Sequence, residues 1–187
     1  MKKDLLVGAF IILLVIMLAR GTKIQSVNEY YLTHIDEIMP DSKVVTLSIK
    51  CDTILDNWEN LDHRLQNEKY VPKNGIILSP TKYVLRPDDT VFDILDRAVR
   101  HNKIQMEFQA SYLNSYGSVY VQGINYLYEF SCGELSGWMY SVNEKFPNYG
   151  CSKYILEPDD IIEWSYTCDL GRDVGCTWLE NEKNKAE

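Results

Sequence analysis

The chain has little of what catalytic and metal-binding proteins need. Its three histidines, His34, His63 and His101, are scattered among polar residues. No Ser-His-Asp or Cys-His arrangement and no glycine-rich phosphate loop can be recognised. The cysteines include no C-x-x-C pair and no histidine cluster accompanies them, which argues against a zinc site. Asp159 and Asp160 lack the regularly spaced oxygen ligands of a calcium loop and are interpreted as turn residues. We therefore expect neither an enzyme nor a metalloprotein, and no resident cofactor.

An excess of positive charge is also missing. The formal net charge is −8, and residues 1–20 contribute +2 through Lys2, Lys3 and Arg20 against Asp4, which leaves −10 for the remainder. A domain this acidic repels phosphate backbones, so nucleic acid is not an expected partner.

The one long hydrophobic run is short for a membrane span. It covers residues 5–19, and as a helix it measures about 22 Å, against about 30 Å for the hydrocarbon core of a bilayer. Flanking Lys and Arg side chains can compensate for such a mismatch. The alternatives are a cleaved signal peptide and a buried core helix. Because residues 18–21 offer no good small-x-small cleavage site, we favour an uncleaved single-pass anchor at residues 1–20. The domain is then outside the membrane, or secreted if the segment is cleaved.

What the chain does contain predicts one α+β domain. Residues 21–43 read as a stalk with a short helix around 26–38, residues 44–175 as the domain and residues 176–187 as a charged tail. Thr90 and Asp93 resemble a capping box, followed by apolar residues at helical spacing. Alternating or β-branched runs predict strands at residues 44–50, 76–78, 82–85, 104–108, 119–121, 126–130, 138–142, 154–156 and 161–166. One helix packed against a mixed sheet is therefore expected.

Three motifs carry a resemblance to a known family. They are the helix start from Asp89 to Leu95, the run from Gly137 to Asn143, and the closing run from Pro158 to Trp164. Together with Gly123, Ile124 and residues 128–130, and in this order, they resemble the transcobalamin-like C-terminal domain family over about residues 44–175. The resemblance implies a β-grasp fold, and a relation to the smaller domain of vitamin B12 carriers. There such a module covers one face of bound cobalamin, so a cobalamin-like ligand is implied.

The β-grasp arrangement also suggests how the five cysteines pair. Its first and last strands run side by side in parallel, which would bring Cys51 close to Cys168. Cys132 and Cys151 flank the hairpin around Trp138 and form the second candidate disulfide. Cys176 is left over. An exported domain permits disulfides, although buried free thiols remain the alternative.

The predicted ligand site is an aromatic hairpin. Loop tips carry function more freely than core strands, so the loop 146–150 and the aromatic residues around it are the favoured contact surface. The candidate ligand-binding residues are Trp138, Tyr140, Asn143, Phe146, Asn148, Tyr149 and Tyr154. The alternatives are that the strand residues only pack the core and that the loop is an ordinary connection. The expected partner is accordingly a small molecule, or a protein at the cell surface bound by a structural or interaction module.

Overall fold

The computed structural model describes residues 36–177, together with residues 8, 10, 12 and 26. The predicted anchor at 1–20, the stalk at 21–43 with its helix around 26–38, and the charged tail at 176–187 therefore fall wholly or largely outside the described residues. No helix among the described residues is both long and apolar enough to cross a membrane.

The fold is α+β and dominated by strands. In chain order the described residues form β1 (Val44–Lys50), α1 (Thr53–Asp56), β2 (Ile76–Val84), α2 (Val91–Asn102), β3 (Met106–Gln109), β4 (Tyr120–Ile124), β5 (Leu127–Tyr128), β6 (Gly137–Val142) and β7 (Ile161–Thr167). Short 3₁₀ turns lie at Trp58–Asn60, His63–Leu65, Ser111–Leu113 and Arg172–Val174.

The strands form two sheets. The larger has the order β2-β1-β7-β6, and the smaller has the order β3-β4-β5. β1 and β7 are parallel, with Leu47 opposite Ile162, while β1–β2 and β6–β7 are antiparallel. The parallel pairing of the first and last strands, implied by the family resemblance, is confirmed.

Helix α2 forms because its start is well capped and one of its faces is apolar. The backbone N–H of Thr90 donates to Asp93 Oδ2 at 2.8 Å, and the N–H of Asp93 donates to Thr90 Oγ1 at 3.3 Å, which is the predicted capping box. Ile94, Leu95 and Ala98 are fully buried and pack in one core with the inward-facing residues of β1 and β7. The helix ends at Asn102, and the next residue, Lys103, caps it with a left-handed φ of 57°.

A buried ion pair joins α2 to the loop before it. The Arg97 guanidinium donates to the Asp89 carboxylate, and also to the Val84 carbonyl at 3.2 Å. Asp89 in turn accepts the backbone N–H of Arg86 at 2.7 Å. Both charged side chains are about one-tenth exposed, and Arg97 also contacts Asp36 Oδ2 at 3.3 Å. The buried Asp89 carboxylate therefore depends on the Arg97 guanidinium for its counter-charge.

Several strand predictions need correction. The strands predicted at 76–78 and 82–85 are one strand, β2, irregular in its pairing with β1. The strand predicted at 126–130 shrinks to β5, because Asn125 and Tyr126 take φ of 53° and 66° in a tight turn and Phe130 turns the chain again at 64°. Residues 154–156 form only an isolated bridge from Ile155 to Thr90.

Candidate functional site

An aromatic groove lies where β6 and β7 meet two loops. Its volume is about 480 Å³. The lining side chains come from β6 and β7, from the loop that follows β6, and from the segment that leads into β4: Tyr116, Ser118, Val119, Tyr120, Val121, Trp138, Met139, Tyr140, Pro147, Asn148, Tyr149, Gly150, Cys151, Lys153 and Trp164. Small-molecule sites have volumes of roughly 300–1,000 Å³ and are mostly apolar, so the groove has the size and character of a ligand site.

The base of the groove belongs to the larger sheet. Trp138 and Tyr140 lie two residues apart on β6 and therefore on one face of the sheet. Tyr140 is paired with Trp164 of β7, and their ring centroids are 5.6 Å apart. The indole N–H of Trp138 donates to the Leu127 carbonyl at 2.7 Å. Packing and hydrogen bonding thus hold these rings in place before any ligand arrives.

One wall is the loop that follows β6. The ring of Tyr149 stacks on that of Tyr154 with centroids 5.7 Å apart and planes at 11°. The hydroxyl of Tyr140 donates to the Tyr149 carbonyl at 2.7 Å. Tyr154 also meets Tyr140 edge to face at 6.4 Å. Tyr149 is 52% exposed, so it presents a supported ring to solvent.

The opposite wall comes from the segment before β4 and from the start of β4. Tyr116 and Tyr120 have ring centroids 6.3 Å apart, and the Tyr120 hydroxyl donates to the Glu129 carboxylate. Lys153 reaches over from the other loop, and its ammonium donates to the Tyr116 carbonyl at 3.0 Å. This contact ties the two walls together.

Gly150 allows the walls to approach. A Cβ on this residue would lie 2.0 Å from Ser118 Oγ and 2.3 Å from Ser118 Cβ. Ser118 Oγ is 2.9 Å from Ser152 Oγ, which also accepts the backbone N–H of Val119 at 2.9 Å. Any side chain at position 150 would therefore push the two loops apart.

The groove is close to neutral. Burial raises the pKa of the Cys151 thiol to about 12 and raises the pKa of the Tyr140 hydroxyl as well. Burial and the neighbouring Glu129 raise the pKa of Tyr120. These three groups are protonated at neutral pH, and among the described lining residues Lys153 is the one that carries a formal charge. The surface suits a ligand that is mainly apolar and has a polar or anionic edge.

The structure brings together four of the seven predicted ligand-binding residues. Trp138, Tyr140, Asn148 and Tyr149 line the groove. Tyr154 lies behind Tyr149 and supports it.

The other two predicted residues lie elsewhere. Asn143 is not a lining residue; its amide donates to Asp160 Oδ1 at 2.7 Å, and its Oδ1 accepts the N–H of Ile161 at 3.0 Å. It therefore holds the turn before β7. Phe146 is half-buried and does not line the groove.

Sequence reasoning missed Tyr116, Tyr120 and Lys153. Tyr120 fell in a predicted strand, with nothing to indicate that its ring faces the hairpin. Tyr116 and Lys153 are separated by more than thirty positions and meet only through folding.

The cysteines are arranged differently from the prediction. All five are thiols, so neither Cys51–Cys168 nor Cys132–Cys151 is joined. Cys151 lies in the groove wall, with its Sγ 3.6 Å from the Val119 carbonyl oxygen. Cys132 instead lies next to Cys168, because the turn after β5 folds the chain back over the end of β7.

Among the described residues, no group of three or more His, Cys, Asp or Glu side chains converges in a way that could hold a metal ion. Nothing in the sequence brings Glu134 and Glu163 together as a carboxylate pair, and Glu163 forms an ion pair with Lys50 at 2.8 Å instead.

No curated protein matches the chain. Haptocorrin, solved in complex with Cbi, is similar with a TM-score of 0.45 and 11% identity over 72% of this chain. The chain spans 27% of the length of that haptocorrin chain. A candidate metal-binding protein from Ruminococcus gnavus ATCC 29149 is similar with a TM-score of 0.39 and 10% identity, covering 67% of this chain and 96% of the other. Residues 88–168, the segment that runs from α2 to the end of β7 and builds the groove, match a domain of unknown function, DUF4430.

Proposed function

We propose that the aromatic groove binds one face of a flat, amphipathic small molecule and holds it without chemical change. The observation that carries this proposal is the convergence of aromatic rings from separate parts of the chain on a groove of about 480 Å³. Aromatic side chains provide large apolar contact areas with little conformational freedom to lose, and their polar ends provide hydrogen bonds.

Binding rather than reaction is favoured by the chemistry of the lining. The one thiol in the groove, Cys151, is buried, and its raised pKa keeps it protonated. A protonated thiol is a poor nucleophile. Among the described lining residues no carboxylate or imidazole stands beside it to act as a base.

The first ligand class to test is the corrins. The motifs from Gly137 to Asn143 and from Pro158 to Trp164 resemble those of the smaller domain of vitamin B12 carriers, which covers one face of cobalamin. A groove of this size covers only part of a corrin, so a second protein would complete the site. We interpret the two sheets and α2 as a β-grasp-like module, held at the outer surface of the cell by an anchor at residues 1–20.

A second candidate is a protein-interaction module. β2 pairs on one side only, with β1, within the described part of the chain. Its nine residues and the exposed Ile76 offer an edge to which an extended partner segment could add a strand. Pro80 interrupts that edge, and this favours the groove over the edge as the functional surface.

The test is a titration of cobinamide and cobalamin into the full-length protein in detergent, followed by calorimetry and by corrin absorbance. We expect saturable binding, at least tenfold weaker in Tyr149→Ala and unchanged in Tyr112→Ala, whose tyrosine is 84% exposed and lies outside the groove. Chromatography of the released ligand should return it unaltered.

The outcomes separate the hypotheses. No saturable binding of either corrin, but binding of another flat aromatic probe that Tyr149→Ala weakens, overturns the corrin class and keeps the groove. Failure of every probe at near-millimolar concentration overturns the ligand-binding proposal. If the protein captures a partner, and that capture is lost on substituting residues of β2 but kept in Tyr149→Ala, the interaction module would be established instead.

A further inference from the structure

Two cysteines that are distant in the sequence converge on one short helix. Cys132 Sγ lies 3.5 Å from the carbonyl oxygen of Asn57, and Cys168 Sγ lies 3.8 Å from Thr53 Oγ1. Thr53 and Asn57 are four positions apart at the two ends of α1, and the Asn57 side chain donates to the Thr53 carbonyl at 2.9 Å. Both sulfurs therefore lie against this one helical turn, and the two cysteine side chains are within hydrogen-bonding contact of each other.

The backbones that carry the two thiols are held in this arrangement. The N–H of Cys132 donates to Ser136 Oγ at 3.0 Å, and the N–H of Cys168 donates to Asp173 Oδ2 at 2.7 Å. The Tyr166 hydroxyl bridges the two segments, because it lies 3.0 Å from Ser136 Oγ and donates to the Tyr128 carbonyl at 2.7 Å. A disulfide forms only where little backbone movement is needed, and these hydrogen bonds hold the segments that carry Cys132 and Cys168 close together before any oxidation.

The two thiols also interact with each other. Hydrogen bonding with Cys168 lowers the pKa of Cys132, and the same contact raises the pKa of Cys168. The pair therefore releases its first proton more readily than an isolated buried thiol does, and the proton that remains is shared between the sulfurs. A thiolate is the nucleophile in thiol–disulfide exchange.

The partial exposure of Cys168 and the lowered pKa of Cys132 distinguish this pair from the other cysteines. Cys168 is partly exposed, whereas Cys51 and Cys151 are buried, and their pKa values are raised to about 12 mainly by burial. An external oxidant therefore reaches the pair at Cys168, while Cys51 and Cys151 stay as inert thiols.

We propose that Cys132 and Cys168 form a reversible disulfide that fastens the β5–β6 connection to the end of β7. The oxidant is a small disulfide such as oxidised glutathione. After the pair has lost its first proton, the partly exposed Cys168 passes its own proton to the Cys132 thiolate and attacks one sulfur of glutathione disulfide, expelling a glutathione thiolate, which takes up a proton from solvent. Cys132 then loses its proton to solvent and attacks Cys168 Sγ, expelling the second glutathione. Two protein thiols are oxidised, and one glutathione disulfide is reduced to two glutathione thiols.

The experiment treats reduced, folded, full-length protein with oxidised glutathione, alkylates the remaining thiols, and identifies the cross-linked peptides by mass spectrometry. We expect a peptide pair joined through Cys132 and Cys168, the loss of two alkylatable thiols, and recovery of both on adding dithiothreitol. In Cys132→Ser the cross-link should be absent, and Cys168 should retain glutathione as a mixed disulfide. Cys51→Ala should cross-link as the wild type does.

Two results would overturn the proposal. One is that Cys132 and Cys168 both remain alkylatable after oxidation while circular dichroism shows a folded protein. The other is that the linked peptides join either cysteine to Cys51, Cys151 or Cys176. Because the decisive readout is on the wild-type chain, a poorly folding variant does not affect it.

Discussion

The Tyr140 hydroxyl donates a 2.7 Å hydrogen bond to the backbone carbonyl of Tyr149, so the floor of the aromatic groove is tied directly to its wall. Tyr149 is one of the exposed rings of the groove, and its position depends on this bond and on the stacked ring of Tyr154. A ligand that binds against Tyr149 therefore contacts a ring that folding has already ordered, so that binding loses little further conformational entropy.

Replacing Tyr140 with Phe should loosen the wall and leave the floor intact. The loss of one hydrogen bond should lower the free energy of unfolding by about 0.5–1.5 kcal/mol, and amide exchange at residues 147–150 should accelerate. Urea unfolding and hydrogen-exchange mass spectrometry measure the two effects. Tyr112→Phe, at an exposed position, is the control and should change neither. Unchanged exchange in Tyr140→Phe would contradict the role given to this bond.

Gly150→Ala should close or distort the groove. The added Cβ would lie 2.3 Å from Ser118 Cβ, which side-chain rotation cannot move away, so the two loops must separate. We expect a loss of about 1–3 kcal/mol in unfolding free energy and weaker ligand binding. Gly137→Ala is the matched control, because its Cβ would meet nothing nearer than Glu129 Cβ at 3.9 Å. Equal stability of the two variants would show that the loops can yield.

Arg97→Ala should destabilise the protein more than the substitutions at Tyr140 and Gly150. It leaves the Asp89 carboxylate buried without its guanidinium, at an expected cost of about 3–5 kcal/mol. Arg100→Ala is the control, since Arg100 pairs with Asp96 at a more exposed site and should cost about 1 kcal/mol or less. Chemical denaturation compares them. The double variant Asp89→Asn with Arg97→Met should be more stable than Arg97→Ala, and the opposite order would argue against the buried charge as the cause.

Stability should fall at alkaline pH because of the buried thiols. The pKa of Cys151 rises from 9.0 to about 12 on folding, so the native state keeps a proton that the unfolded state loses. The contribution is therefore complete below pH 9 and is lost as pH rises from 9 toward 12, with a slope of up to about 1.4 kcal/mol per pH unit. Urea unfolding between pH 7 and 10 under a reductant measures this slope.

The variant Cys151→Ala isolates this contribution. It should reduce the slope of the unfolding free energy against pH by the contribution of one thiol. The control is Val121→Ala, which removes apolar groove surface but no titrating group, and it should lower the unfolding free energy at every pH without changing the slope. Identical slopes in Cys151→Ala and the wild type would rule out Cys151 as a source.

Sequence reasoning succeeded where the determining contacts are local. The capping box of Thr90 and Asp93 and the apolar face of α2 involve neighbours within one or two turns, and the strands at 44–50 and 161–166 carry their own alternation. Sequence reasoning failed at two segments of β-forming composition. At residues 126–130 the positive φ angles of Asn125, Tyr126 and Phe130 turn the chain. At residues 154–156 the packing of the groove wall replaces the predicted strand.

The sequence alone determined the fold class, the helix and the aromatic character of the hairpin, and each of these follows from residue patterns a few positions long. The parallel pairing of the first and last strands was implied by the family resemblance and not by any such pattern. Tertiary structure alone decided which rings share the groove, because Tyr116 and Tyr120 line the same groove as Tyr149 only after the two loops approach each other at Gly150. It also decided that Cys168 lies beside Cys132 rather than Cys51, because α1 and the Tyr166 hydroxyl gather segments that no sequence spacing connects.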